Sequence, residues 1–177
     1  MAQHEKTRGL IIVNTGTGKG KTTAALGAAL RASGNGMRVM IIQFIKGAWK
    51  YGELEAIKHL PNAEIHPLGL GMTKRHESTE RDAAKATEAW QRVRTEVFSD
   101  RYDLIVLDEI NLALHFGFVP VQDVLELLRT KPERLHIILT GRYAPEEIMD
   151  IADTVTEMTE IKHHYKKGVA AQKGIEF

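Results

Sequence analysis

The sequence contains no cysteine, and this absence removes several kinds of chemistry. Without thiols, the 177-residue chain has no disulfide, no thiolate zinc site and no cysteine nucleophile, a composition that suits a reducing compartment. No apolar run approaches the length that spans a bilayer, and residues 1–8 are polar and lack the apolar core of a signal peptide. We therefore expect a cytoplasmic protein without membrane association.

An excess of charge of either sign is also missing. The chain has 24 Lys and Arg against 23 Asp and Glu, a net charge of +1. This balance argues against a broad basic surface, so we expect no nucleic-acid partner. A chain of this length with 43% hydrophobic residues can form one domain with its own core. We expect a flexible N-terminal arm over residues 1–9 and a single domain over residues 10–177.

The most informative stretch runs from residue 10 to residue 30. Its first part, Leu10–Val13, is apolar and predicts a buried strand, and the alanine-rich part Thr23–Leu30 predicts a helix. Gly16, Gly18 and Gly20 lie between them. Without a Cβ atom, successive amides can converge on phosphate oxygens, and the helix points its positive end at the same place. The stretch therefore predicts a polyphosphate site.

The residues around these glycines depart from the usual P-loop spacing. Gly16 and Gly20 enclose three residues where the pattern has four, and Thr15 stands where the first glycine belongs. The pattern still predicts that Lys21 reaches the terminal phosphates and that Thr22 offers a hydroxyl to Mg²⁺. The alternative is a glycine-rich turn without a ligand. We favour a nucleotide because two lysines beside three glycines would repel each other without an anion.

An acidic pair follows the second informative run. Residues 104–107 are apolar and are followed by Asp108 and Glu109, which predicts a central buried strand with carboxylates at the ligand edge of the sheet. In nucleotide-binding proteins an Asp here helps to hold the Mg²⁺ water shell, and a Glu polarises a nucleophile. Simple strand-end caps are the alternative. Asn111 and His115 lie over the same edge, and we expect a neighbour rather than a metal to satisfy the lone histidine.

Two cations end further strands. Lys46 follows a predicted strand over residues 38–45, and Arg142 follows one over residues 135–139. Ligands of parallel sheets bind beyond the carboxyl ends of the strands, where both side chains fall. Arg142 would neutralise a leaving polyphosphate, with a surface ion pair as the alternative. Lys46 is equally consistent with a solvated lysine at a strand end.

The remaining segments alternate between helical and extended patterns. We predict helices over residues 53–60, 78–98, 120–129 and 145–152, and strands over residues 63–68 and 154–161. The apolar stripe of the long helix is predicted to comprise Ala84, Thr87, Ala89, Trp90, Val93 and Val97. This alternation predicts an α/β fold of the P-loop (RecA-like) kind: a mostly parallel sheet of about six strands with helices on both faces.

Two loops complete the description. Residues 69–76 carry a methionine and a basic cluster, and they are either a lid or a plain connection. The tail over residues 163–177 is expected to be an ordered loop. Its adjacent His163 and His164 are by themselves a weak metal signal.

Together, these runs resemble the corrinoid adenosyltransferases of the P-loop type over residues 10–177. The resemblance rests on the runs Thr15–Ala25, Gln43–Gly47, Val106–Glu109, Thr140–Arg142 and Gly168–Phe177. It implies a reaction in which the Co(I) centre of a corrinoid attacks the 5′ carbon of ATP and tripolyphosphate leaves. No protein nucleophile is then needed, so the protein only positions the reactants and stabilises charge.

The resemblance also implies roles for individual residues. Lys21, Arg142 and Glu109 would be catalytic, and Thr22 and Asp108 would hold Mg²⁺. The residues implied in binding ATP or the corrinoid are Thr15, Gly16, Thr17, Gly18, Lys19, Gly20, Lys21, Thr22, Thr23, Lys46, Met72 and Asn111.

The sequence departs from the family in the loop after the third strand. Some members carry a Gly-Phe-Thr-Trp run there, whose aromatic side chains lie beside the corrin, whereas this chain has Gly71-Met72-Thr73-Lys74. Met72 supplies apolar bulk, but a lysine cannot replace an indole. The family further implies cobalamin biosynthesis, an electron donor such as a reduced flavoprotein, and a homodimer. The alternatives are a P-loop NTPase or small-molecule kinase, and a nucleotide-dependent corrinoid-binding module.

Overall fold

The computed structural model of the chain describes residues 8–47, 51–71 and 80–176, and in these residues six strands form one sheet. The strands are β1 (Ile11–Thr15), β2 (Val39–Gln43), β3 (Ala63–Pro67), β4 (Leu104–Asp108), β5 (His136–Thr140) and β6 (Thr154–Glu157). Their order across the sheet is β3-β2-β4-β5-β1-β6, and every neighbouring pair is parallel. The predicted α/β fold with a parallel six-stranded sheet is confirmed.

Helices cover both faces of this sheet. They are α1 (Lys21–Gly34), α2 (Gly52–Ile57), α3 (Glu80–Val97), α4 (Ile110–His115), α5 (Val121–Thr130) and α6 (Glu146–Ile151), and a 3-10 turn follows at His164–Lys167. One face packs against α1 and α2, and the other packs against α3, α4, α5 and α6. Among the helices of the described residues, none is both long and apolar enough to cross a bilayer.

The central strands are apolar because side chains on both of their faces are covered. Every residue of β2 and β4 is buried. On one face, Met40 and Ile105 belong to a core cluster with Trp90 of α3, and on the other, Ile41 belongs to a cluster with Ala29 of α1. The two clusters hold the strands in the register that sets the carboxyl edge.

Some predicted details were wrong. In α3, Ala84 and Thr87 are exposed, and the buried stripe contains Ala86 instead, one turn before Trp90. The last strand ends at Glu157 and is fully exposed rather than half exposed, since it has a single neighbour at the edge of the sheet. The short helix α4 was not predicted at all.

The predicted arm and lid lie largely outside the described residues. Of the arm, Arg8 pairs with Asp153 at 2.7 Å, and the N–H of Gly9 donates to the carbonyl of Glu133 at 2.7 Å. Of the lid, only residues 69–71 are described, so Met72 lies outside. The parallel topology brings the carboxyl ends of β1, β2, β4 and β5 to one edge, where the predicted site residues within the described ranges lie.

Candidate active site

The glycine loop between β1 and α1 is packed against the segment that follows β6. The N–H of Gly18 donates to the carbonyl of Met158 at 2.6 Å. Gly16 and Gly20 have φ values of 94° and 113°, in the region that favours glycine. A Cβ atom on Gly16 would also lie 2.5 Å from the Met158 carbonyl oxygen. The loop therefore requires glycine at Gly16 for its backbone conformation and for its close contact with this segment.

Lys21, the first residue of α1, folds back into this loop. Its ammonium donates to the carbonyl oxygens of Gly16 at 2.8 Å and of Gly18 at 2.6 Å. The side chain is buried, and burial lowers the pKa of the amine. The loop carbonyls hold the positive charge at the centre of the loop, beside the amino end of α1, where an anion would bind.

Asp108, at the end of β4, accepts hydrogen bonds from three side chains. The hydroxyls of Thr22 and Thr140 donate to Oδ1, each at 2.7 Å, and the amide of Gln43 donates to Oδ2 at 3.0 Å. The residue is 1% exposed. These bonds fix the carboxylate next to the hydroxyl of Thr22, so two hard oxygen donors of the kind that Mg²⁺ prefers lie side by side.

Two residues of this network, Gln43 and Thr140, were not identified as site residues from the sequence. Gln43 lies opposite Asp108 in the pairing of β2 with β4, and Thr140 ends β5 on the other side. Both are fully buried. The signal that could have identified them is that each is a polar residue closing an apolar strand, at the same edge as the acidic pair.

Glu109 lies at the meeting point of several charges. Its backbone is left-handed, with φ at 62°, which is uncommon for a residue with a side chain. Burial and the adjacent Asp108 raise the pKa of its carboxyl, while the cations of Lys21, Lys46 and Arg142 act to lower it. All three predicted cations therefore lie close enough to Glu109 to affect its ionisation.

The turn after β5 fits tightly around this carboxylate. Gly141 has a φ of 127°, and a Cβ atom there would lie 3.2 Å from Glu109 Oε2 and 3.1 Å from the Cβ of Asn111. Asn111 is fully buried, and its amide donates to the carbonyl of Gly141 at 3.1 Å. Asn111 therefore contacts the turn that positions the exposed Arg142.

Lys46 reaches the same region from β2. Its ammonium lies 2.6 Å from a carboxylate oxygen of Glu53 and 4.9 Å from the ring centroid of Tyr51. Lys46 is thus ion-paired on one side while its charge acts on Glu109 on the other.

The remaining predicted residues of the loop differ in their surroundings. Thr17 and Thr23 are exposed, and the hydroxyl of Thr15 accepts from the N–H of Ala144 at 3.3 Å. Lys19 pairs with Glu176 in the tail at 2.8 Å. This contact between the loop and the tail was not predicted.

The parallel sheet defines an α/β protein, and the glycine loop with its inward lysine and the buried carboxylate beside the helix threonine are consistent with the P-loop class. Comparison with known proteins is more specific. The profile of the family described as ATP:corrinoid adenosyltransferase BtuR/CobO/CobP matches residues 7–177. The chain belongs to this family of enzymes.

Individual relatives agree with this assignment. A corrinoid adenosyltransferase of Sinorhizobium sp. is 43% identical over 180 residues, which cover all of this chain and 84% of the relative. One of Pseudomonas aeruginosa is 41% identical, over all of this chain and 88% of the relative. One of Escherichia coli K12 is 38% identical, over all of this chain and 90% of the relative.

Proposed function

We propose that the protein transfers the 5′-deoxyadenosyl group of ATP to the Co(I) centre of a corrinoid, cobalamin or a precursor, and releases tripolyphosphate. Membership of the family supports the choice of both substrates. The observation that supports the chemistry is the glycine loop, which holds an ammonium beside a buried carboxylate and a hydroxyl. This arrangement suits a chain of linked anions better than a single small one.

The loop would hold the triphosphate through its backbone amides and the positive end of α1. The ammonium of Lys21 is already within the loop, where the carbonyls of Gly16 and Gly18 hold it. Exchanging these carbonyls for phosphate oxygens places its charge on the triphosphate. Arg142 adds a second cation from the neighbouring strand β5, and both cations would stabilise the negative charge that grows on the leaving triphosphate.

The donor set at the end of β4 fits Mg²⁺. The hydroxyl of Thr22 and the carboxylate of Asp108 are oxygen donors 2.7 Å apart, and the other bonds of Asp108 come from neutral groups that leave its charge available. Thr22 and Asp108 would hold the ion directly or through its water shell. When bound, it would add positive charge to the triphosphate.

The bond changes balance without a protein nucleophile. The cobalt centre donates an electron pair to the 5′ carbon, the bond between that carbon and the triphosphate oxygen breaks, and its electron pair leaves with the triphosphate. No proton transfer is required, so the protein contributes position and charge. Glu109 would keep Lys21, Lys46 and Arg142 grouped around the site, which is the catalytic role we assign to it.

We assign the residues that would contact the corrin to the same edge of the sheet. Lys46 and Asn111 lie there, and Met72 would supply apolar contact from the loop after β3. We further propose that the protein is a homodimer in the cytoplasm. A donor such as a reduced flavoprotein would supply electrons, because cobalt must reach Co(I) before it can attack carbon.

The test is anaerobic incubation of the purified chain with ATP, Mg²⁺ and chemically reduced cobalamin. We expect the visible spectrum of a cobalt–carbon bond and an equal amount of tripolyphosphate. Formation of ADP and phosphate instead would favour an NTPase or kinase. Tight ATP binding with no turnover would favour a nucleotide-dependent corrinoid-binding module.

A further inference from the structure

The tail of the chain brings two histidines and a carboxylate together beside the glycine loop. His163, His164 and Glu176 each offer one ligand atom, and these atoms all lie within 4.8 Å of one another. All three residues are partly buried. The proposed adenosyl transfer uses none of them. Across residues 8–47, 51–71 and 80–176, this is the one such group of three or more metal-ligating side chains.

We propose that His163, His164 and Glu176 form a binding site for a divalent transition metal such as Zn²⁺. Imidazole nitrogens combined with a carboxylate are ligands that Zn²⁺ and its neighbours in the first transition row accept. Three protein ligands leave at least one position for water or a further group. The site is separate from the oxygen donors Thr22 and Asp108, which suit Mg²⁺.

The two histidines are already arranged close to the carboxylate. The Nε2 atom of His164 lies 2.8 Å from Glu176 Oε1, and the ring centroids of His163 and His164 are 4.6 Å apart with an interplanar angle of 30°. His163 Nδ1 accepts from the N–H of Tyr165 at 3.2 Å, the long end of the hydrogen-bond range. Coordination through Nδ1 would replace only this long bond, and coordination through Nε2 would leave it in place.

Lys19 occupies part of this site. Its ammonium lies 2.8 Å from the same Glu176 oxygen that contacts His164. A single carboxylate oxygen already attracts one cation, and a metal would compete with that ammonium for it. Metal binding therefore releases Lys19 from the tail, and removing the charge of Lys19 favours the metal.

The experiment uses the full chain without an affinity tag, freed of metal by dialysis against a chelator. Inorganic Co²⁺ is added as its chloride, without corrinoid or nucleotide, and its visible d–d absorption reports coordination. We expect one Co²⁺ per chain and its displacement by Zn²⁺. A chain that binds no Co²⁺ overturns the proposal.

Variants identify the ligands. We expect His163→Ala and Glu176→Gln each to weaken Co²⁺ binding at least about tenfold, since even the outer partners of metal ligands are worth 10–100-fold in affinity. Lys19→Gln should tighten binding severalfold. His59→Ala, at an exposed histidine on the turn after α2, is the matched control and should leave binding unchanged.

Several results would contradict this assignment. Binding that survives both His163→Ala and Glu176→Gln places the ion elsewhere. Unchanged affinity in Lys19→Gln would contradict the competition between Lys19 and the metal for Glu176. Far-UV circular dichroism of each variant separates loss of the site from loss of the fold, and His163→Ala provides an independent result if Glu176→Gln does not fold.

Discussion

Asp103 lies just before β4 and Glu109 just after it, and the pKa values of the two carboxyls are displaced in opposite directions. At the amino end, the guanidinium of Arg38 donates to both oxygens of Asp103 at 2.9–3.0 Å, and Arg134 donates to it as well. The pKa of Asp103 is lowered to about 2, chiefly by the side-chain hydrogen bonds from Arg38, with the charges of Arg38 and Arg134 adding to the effect. At the carboxyl end, burial raises the pKa of Glu109 despite three nearby cations.

The charges around Asp103 pair with one another and stabilise the fold, whereas those around Glu109 belong to the proposed binding site. The acidic and basic groups around Asp103 neutralise one another at the protein surface. Around Glu109, the carboxyl is buried beside a second carboxylate, and Lys21 is held by carbonyl groups rather than by a carboxylate. Perturbed ionisation of this kind concentrates at functional sites.

The largest expected effect is on activity, from a substitution in the candidate site at the carboxyl edge of the sheet. We expect Lys21→Ala to lower kcat/KM for adenosyl transfer by about 10²–10³-fold, the effect of removing one donor to a developing anion. Formation of the cobalt–carbon bond is the measurement, with far-UV circular dichroism to confirm the fold. Lys85→Ala, on an exposed lysine of α3, is the matched control. An active Lys21→Ala enzyme would refute the phosphate role of Lys21.

Removing the hydroxyl of Thr140 should affect both stability and metal use. Thr140 donates to Asp108 and accepts from the N–H of Glu109 at 2.9 Å, so Thr140→Val leaves that N–H without its partner and removes one of the three hydrogen bonds to Asp108. We expect a loss of about 1–3 kcal/mol in the free energy of unfolding. We also expect a higher Mg²⁺ concentration for half-maximal activity. Thr140→Ser should restore both properties, and Thr156→Val on the exposed strand β6 should change neither.

At the amino end of β4, we expect the substitution of Asp103 to affect stability alone. Because the folded pKa of Asp103 is lowered from 3.8 to about 2, its contribution is present above pH 3.8 and is lost as the pH falls through about 2. We expect Asp103→Asn to lower the free energy of unfolding at pH 7 by about 1 kcal/mol after solvent screening. Urea titrations over this range should show the variant and the wild type converging in acid. Adenosyl transfer at pH 7 should not change.

Of these substitutions, Glu109→Gln should change stability least. Unlike the others, it should stabilise the protein at pH 7. The pKa of the Glu109 carboxyl is higher in the folded protein than its unfolded value of 4.5. Its protonated form therefore contributes to stability below pH 4.5, and this contribution is lost as the pH rises. The variant should therefore unfold at a slightly higher temperature than the wild type at pH 7, and this advantage should disappear below pH 4.5. Activity should fall. A lower Tm at pH 7 would mean that the three cations outweigh the burial of Glu109.

The sheet was predictable because its signals are local and strong. Apolar runs at β1, β2, β4 and β5 end in polar residues, and the alternation with helices requires parallel pairing. Two details could not be read from spacing. The helix α4 has only six residues, and the phase of the α3 stripe depends on which alanines face the sheet. Small residues give little hydrophobic contrast between the faces of a helix.

The charged residues of the candidate site can be selected from the sequence, but their hydrogen-bond partners cannot. Lys21, Asp108, Glu109 and Arg142 follow strands or glycines and can be found by pattern. Gln43 can bond to Asp108 only because the strand order places β2 beside β4, and no local pattern predicts that order.

The contacts of the tail lie still further from local sequence signals. Glu176 meets Lys19 across more than 150 positions of the chain, because the tail returns to the glycine loop after β6. No local sequence pattern encodes such a contact.

The inward fold of Lys21 has a consequence for selectivity. Since its ammonium must leave two carbonyl oxygens before it can meet a phosphate, nucleotide affinity is the difference between two sets of contacts. An isolated orthophosphate offers little beyond what those carbonyls already provide. Three linked phosphates can engage the lysine, the backbone amides and the neighbouring arginine together. We therefore expect the loop to bind linked phosphates in preference to a single phosphate.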